Sequence, residues 1–272
     1  MESRSVSGIQ DSGPGRRVKV HGHRLYYECH GPKDGTPLVL LHHGLGSTRA
    51  WKHQVPALAG AGFRVVVYDR WGYGASDPRP RLDVPHFAQD VADLAALLDT
   101  SGIVQALLVG HSDGGNVALA FAAAYPQQAL AVVAVAAHIY LEDTMPQGIA
   151  QVAETYRTHP AVRAALDRAH HGRGEQVFRL WYEAWTQPAL KHWDARPQFR
   201  AVTCPTLVIQ GDADEHATPR HAQDLAAALP QAQVVIVSGG RHMLPQEQPE
   251  TFNRLVLKFL KSWSRNTPYE EE

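Results

Sequence analysis

Ala106-Leu107-Leu108-Val109-Gly110-His111-Ser112-Asp113-Gly114-Gly115-Asn116-Val117-Ala118 is the stretch on which the reading of the whole chain turns. Residues 106–109 are wholly apolar, as suits a strand buried on both faces of a parallel sheet. Residues 116–125 carry small and apolar side chains at helical spacing and stop before Pro126, which cannot continue a helix. Between them lies G-x-S-x-G. Its glycines remove the side chains that would collide where a strand turns sharply into a helix. Ser112, at its centre, is expected to take strained backbone angles and to project its hydroxyl out of the sheet. The N-terminus of the helix behind it would favour developing negative charge. A serine so placed is a candidate nucleophile.

On either side the same alternation of strand and helix recurs. Residues 18–20 and 24–29 flank a His-Gly-His turn and read as a hairpin. Residues 37–41 and 63–68 read as strands, 50–60 and 86–100 as helices, the latter with Val91, Leu94, Ala95 and Leu98 on one face. Beyond the serine motif, 130–136, 205–210 and 233–237 read as strands, 219–228 and 248–262 as helices. Strand followed by helix, repeated, implies a mostly parallel central sheet flanked by helices, an α/β fold. The rhythm breaks over 140–200. That stretch has helical periodicity, no convincing strand, and the aromatic residues Trp181, Tyr182, Trp185 and Trp193. The expected organisation is a flexible tail over 1–17, a core of 18–139 and 201–272, and an inserted helical lid over 140–200. An acidic run closes the chain at 270–272.

Composition narrows the function classes. The 272 residues are 44% hydrophobic and 19% charged, with 26 Lys and Arg against 27 Asp and Glu and a net charge of -1. This is ordinary globular composition without the basic excess of a nucleic-acid binder. No apolar run reaches the roughly 18 residues of a membrane helix, so no membrane partner is expected. Residues 1–17 are polar and lack the apolar core of a signal peptide, which predicts a cytoplasmic protein. Cys29 and Cys204 match no redox or metal spacing and read as reduced thiols. The 16 histidines include the pairs His21/His23, His42/His43 and His170/His171, none in a zinc pattern. No metal or cofactor is expected; the expected partner is a small-molecule ester, and the assembly a monomer or homodimer.

Serine is a weak nucleophile until a base takes its proton. On this type of strand-to-helix turn the chain order is serine, then acid, then histidine. The strand at 205–210 leads into Gly211-Asp212-Ala213-Asp214-Glu215. Asp214 fits the acid best, because G-x-x-D carries a carboxylate over the strand end; Asp212 and Glu215 are the alternatives. The last strand leads into Ser238-Gly239-Gly240-Arg241-His242, so His242 is the expected base, ahead of His216 and His221. A tetrahedral oxyanion needs two donors. The backbone N–H of Asp113 is one candidate, and that of Leu45 in His42-His43-Gly44-Leu45-Gly46 the other. His42 and His43 are expected to shape that loop rather than react.

His43-Gly44-Leu45-Gly46, Asp69-Arg70-Trp71-Gly72-Tyr73-Gly74-Ala75-Ser76, the residues from Gly110 to Gly115, those from Gly211 to Asp214, and His242 with Glu247-Gln248-Pro249-Glu250 occur in an order that resembles the α/β-hydrolase superfamily. The resemblance runs from residue 18 onward. Arg241 departs from the glycine many members carry before the histidine. Members that attack an alkyl carbon, such as epoxide hydrolases, use aspartate as nucleophile, so Ser112 implies attack on an acyl carbon. Ser112-Asp113-Gly114-Gly115 is similar to the biphenyl-hydrolase-like group, which implies that Asp113 attracts a cationic substrate group; a helix-capping carboxylate is the plainer reading. His43, Trp181 and Trp185 are candidate substrate contacts, whereas Glu142 and Asp143 read as solvated. The function expected is a carboxylesterase. A C–C bond hydrolase of ring-cleavage products and a hydrolase-fold receptor with little turnover are the alternatives.

Overall fold

The computed structural model describes residues 15–229 and 231–266. Residues 1–14 of the expected tail over 1–17 and the acidic run at 270–272 lie outside the described residues. Eight strands form one sheet: β1 (Arg16–Val20), β2 (His23–His30), β3 (Pro37–Leu41), β4 (Arg64–Asp69), β5 (Ala106–His111), β6 (Ala129–Val135), β7 (Thr206–Gly211) and β8 (Ala232–Val237). Their order is β1-β2-β4-β3-β5-β6-β7-β8. β2 pairs antiparallel with β1 and β4, and every other neighbouring pair is parallel.

The central strands are apolar throughout because both faces are covered. Leu38 and Leu40 of β3, Val65 and Val67 of β4, and Leu107 and Val109 of β5 point to one core. There they meet Leu58 of α1 (Gln54–Gly60), Leu244 of α9 (Leu244–Glu247) and Phe252, Val256 and Phe259 of α10 (Pro249–Asn266). The alternate residues Val39, Leu41, Val66, Tyr68 and Leu108 point to the other face. They pack with α2 (Ala88–Thr100), α3 (Asp113–Ala124) and α8 (Pro219–Ala228). A side-chain period of two thus divides each strand between two cores.

Several expected boundaries move. β1 begins at Arg16, so the hairpin takes up two residues read as tail. The helix expected over 50–60 divides into a 3-10 turn (Thr48–Trp51) and α1. α3 starts at Asp113, three residues before the expected 116, since Gly114 and Gly115 are part of the helix that closes the elbow rather than of a turn.

Between β6 and β7 the chain forms α4 (Met145–Thr158), α5 (Pro160–Ala169), α6 (Gly174–Trp185), a 3-10 turn (Pro188–His192) and α7 (Arg196–Phe199). Its two ends meet at an isolated bridge between Tyr140 and Asp194, and Ala195 N–H donates to Ile139 O at 2.7 Å. Of these, α4 and α6 face the C-terminal ends of β5 and β6, where α/β sheets present their binding crevice. No helix among the described residues is long and apolar enough to cross a membrane. Cys29 and Cys204 are buried thiols.

Candidate active site

Ser112 sits between β5 and α3 with φ 54° and ψ -120°, a positive φ that is uncommon for a side-chain-bearing residue. Packing holds it there. A Cβ on Gly110 would collide with the Gly114 carbonyl, and one on Gly114 with the Leu41 carbonyl, so both positions need glycine. Ser112 N–H donates to Val135 O at 2.9 Å, which ties the strained residue to β6.

The Ser112 hydroxyl lies 3.1 Å from His242 Nε2. His242 Nδ1 lies 3.1 and 3.0 Å from the two Asp214 oxygens. Asp214 accepts further bonds from the His216 N–H at 2.8 Å, the Ala217 N–H at 3.1 Å and Gln210 Nε2 at 2.8 Å. Burial disfavours this carboxylate's charge, but His242 and these donors outweigh it and hold the group well below the usual carboxylate range. Burial likewise disfavours a charged His242, yet the Asp214 carboxylate beside it, with Glu215 and Asp113, raises the imidazole above its ordinary value. An anion, an imidazole and a hydroxyl in line can move one proton from Ser112 Oγ to His242 Nε2.

The other two acids of the 212–215 loop brace the histidine loop. Asp212 accepts from Gly239 N–H at 2.7 Å, and Glu215 accepts from His242 N–H at 3.2 Å and from Arg241 at 3.2 Å. His216 packs edge-on against His242 at 4.6 Å between centroids. His221 lies farther out: its Nδ1 accepts from Ile139 N–H at 3.2 Å, and it stacks on Tyr140 at 4.5 Å. His111, the residue before the serine, donates from Nε2 to the His242 carbonyl at 2.8 Å. No reading of the sequence linked these two histidines, which are 131 residues apart.

Leu45 and Asp113 both line a cavity of 260 Å³ that contains Ser112 and His242. Asp113 opens α3, so its N–H has no intrahelical acceptor. Gly44 is required by close approach: a Cβ there would lie 2.6 Å from Trp181 Nε1 and 2.7 Å from Asp113 Oδ2. His42 shapes this loop, donating from Nδ1 to His43 O at 2.8 Å and accepting from Arg70 N–H at 3.1 Å. His43 borders the cavity, and burial lowers its pKa to about 3, so it is neutral.

Trp181 and Trp185 of α6 line the cavity, as do Met145, Ile149 and Val152 of α4 and His138 at the end of β6. Tyr182 and Trp193 do not; Tyr182 faces outward and Trp193 meets Trp185 edge-on at 5.9 Å. Glu142 is not a solvated residue: it accepts from the Thr218 N–H and hydroxyl at 2.9 and 2.8 Å, joining the start of the insertion to α8. Methionine, isoleucine and valine at helical spacing could have signalled the α4 contribution, but nothing local separates a cavity-lining stripe from a core-packing one.

The Asp113 side chain is buried, with Oδ2 3.7 Å from Arg70 Nη2. Burial raises its pKa to about 6 against the pull of Arg70. Arg70 in turn donates to Asp90 at 3.1 Å, and Asp90 accepts from Arg79 at 2.7 Å. A buried chain of ion pairs therefore lies beneath the site.

Residues 37–199 match the family described as alpha/beta hydrolase fold. The protein designated carbamate hydrolase RutD of Caulobacter sp. (strain K31) is 33% identical over 267 residues, covering 87% of this chain and 95% of that protein. Epoxide hydrolase B of Mycobacterium tuberculosis is 39% identical over 122 residues, but this match spans only 44% of this chain and 34% of that protein. Among solved structures, the enol-lactonase of Burkholderia xenovorans LB400 superposes with a TM-score of 0.74 at 26% identity, covering 90% of this chain and 100% of that one. A meta-cleavage product hydrolase of Pseudomonas fluorescens IP01, with a TM-score of 0.71 at 23% identity over 91% of this chain and 98% of that one, shares the fold.

Proposed function

The chain belongs to the alpha/beta hydrolase fold family, and from that premise we propose that it is a serine hydrolase that cleaves a small-molecule carboxylic ester through an acyl-enzyme on Ser112. The observation that carries this reading is the continuous line of hydrogen bonds from Ser112 Oγ through His242 to Asp214, at 3.1 and 3.0 Å, in a protein that holds Ser112 at a strained turn. Ser112 Oγ attacks the ester carbon while His242 Nε2 takes its proton. The Leu45 and Asp113 N–H groups stabilise the oxyanion. His242 then returns the proton to the departing oxygen as the carbon–oxygen bond breaks. Water, activated by the same imidazole, releases the acid and restores Ser112. The cycle balances without a cofactor.

A nucleophilic serine acts on acyl carbon, and the names carried by two similar proteins, carbamate hydrolase and enol-lactonase, describe that chemistry. The name epoxide hydrolase B does not, and its similarity covers under half of this chain. The helices between β6 and β7 serve as the lid of the site, with α4 and α6 roofing the cavity over Ser112. Two buried thiols suit a reducing compartment, the cytoplasm.

The test is a panel of short esters with wild type and Ser112→Ala, paired with a fluorophosphonate probe. Wild type should be labelled and active, and Ser112→Ala unlabelled and slower by at least about 10³-fold. Undiminished ester cleavage by Ser112→Ala refutes the mechanism. A folded wild type that neither labels nor turns over speaks against both enzyme readings and for a ligand-binding role with little turnover.

A further inference from the structure

α5 carries an apolar stripe that, among the described residues, belongs to neither hydrophobic core. Val162, Ala165, Leu166 and Ala169 recur at i, i+3, i+4 and i+7, which aligns them on one helix face. Such a face is ordinarily buried, yet α5 buries none of its residues and Val162 is 40% exposed. All four residues line a second cavity of 610 Å³, more than twice the volume of the one containing Ser112. Val152 and Tyr156 of α4 and Phe178 of α6 line it too, with Tyr156 stacked on Phe178 at 3.9 Å.

The two cavities adjoin along His43, Leu45, Val152, Glu215, His216 and Met243, which line both. Four of these define the direction of approach. Met243 follows His242 in the chain, Glu215 holds the His242 N–H, and His216 packs on the His242 ring, while Leu45 is the proposed oxyanion donor. The larger cavity therefore meets the smaller one beside His242, at Glu215, His216 and Met243, while Ser112 and the His242 ring line the smaller cavity itself. Asp113, Trp181 and Trp185 line the smaller cavity alone, away from the shared border.

Acyl transfer gives these two sides different occupants. With the carbonyl oxygen held by Leu45 and Asp113, the leaving-group oxygen must face His242 Nε2 to receive its proton. The acyl substituent must then point away from the imidazole. We propose that the larger cavity is the leaving-group subsite, built for an extended apolar alcohol laid on the α5 stripe, and that the smaller cavity admits only a short acyl group. This assignment rests on Ser112 being the nucleophile.

Hexyl acetate and ethyl hexanoate contain the same atoms and differ only in which side of the ester bears the long chain. Wild type should prefer hexyl acetate in kcat/KM by at least about tenfold, a typical return for methylenes placed in an apolar pocket. Ala165→Trp, on the exposed face of α5, should fill the larger cavity. It should lose at least about tenfold on hexyl acetate and stay within about twofold on ethyl acetate, whose turnover also reports an intact fold. Equal or better cleavage of ethyl hexanoate overturns the assignment while leaving the hydrolase reading intact, as does an Ala165→Trp variant that keeps its rate on hexyl acetate or loses equally on both acetates. Hexyl acetate turnover only above its solubility limit overturns it by placing α5 against an interface. Absence of all ester turnover, with Ser112 unlabelled by a fluorophosphonate, overturns both readings.

Discussion

At the scale of single residues, the site depends on charges that burial would remove. Asp214 stays ionised because His242 and three hydrogen-bond donors surround it. Asp113 has less support. Its pKa is raised from 3.8 to about 6, so the folded protein binds a proton more tightly than the unfolded chain does. The destabilisation from burying its anion is absent below the lower value, grows as pH rises between the two, and is complete above the higher one. Asp113→Asn should therefore be more stable than wild type at pH 8, by up to about 3 kcal/mol, with the difference shrinking toward zero near pH 4. Urea unfolding across pH measures this; a variant less stable than wild type at pH 8 contradicts it. Arg70 already answers the Asp113 charge, so amino esters and neutral esters are expected to respond alike to the variant. The sequence made Ser112 and His242 legible because each follows an identifiable strand in a glycine-rich turn. It left three acids competing at 212–215, and only the fold shows that Asp214 meets the imidazole while Asp212 and Glu215 secure the loop behind it.

At the scale of elements, the insertion is latched to the rim of the sheet by two residues that follow α5. His170 Nδ1 accepts from Gly74 N–H at 2.8 Å and its Nε2 donates to Leu45 O at 3.1 Å. Arg173 donates to the carbonyls of Gly72, Gly74 and Ser76 at 3.2, 2.6 and 2.8 Å. The histidine bonds require a neutral ring, and burial lowers its pKa from 6.5 to about 4. A depressed folded-state value gives stability that is fully present above pH 6.5 and lost as pH falls through 4. His170→Ala leaves two backbone groups without their partner. It should cost about 1–3 kcal/mol at pH 7, and the deficit should narrow as the pH is lowered toward 4. A constant deficit across that range would show that the ring acts by packing alone. The pair His170/His171 stood out in the sequence, but its partners lie in loops about a hundred residues earlier, so its task was not legible there.

At the scale of the whole molecule, one buried ion network ties the loop after β4 to α2 and α3. Asp90 accepts from both Arg70 and Arg79, and all three side chains are buried. Burial works against the Asp90 anion, but the two guanidinium groups outweigh it and hold its pKa below the ordinary value. Asp90→Asn would leave two buried cations short of their anion and should cost about 3–5 kcal/mol in urea unfolding. A loss within about 1 kcal/mol would mean that water reaches the network, as for exposed pairs. By itself the sequence determined the strand-and-helix alternation of the sheet, the turn at Ser112 and the order of Ser112, Asp214 and His242 along the chain. Those features are written locally, in apolar runs of strand length, in glycines at obligatory turns, and in helical periodicity. Only the tertiary structure decided which acid meets His242, that Glu142 and His170 tie the helices between β6 and β7 to the rest of the fold, and that two cavities of unequal size adjoin beside His242. Each depends on groups separated by tens to more than a hundred residues, brought together by packing across the sheet and under the inserted helices, and no local pattern encodes such distances.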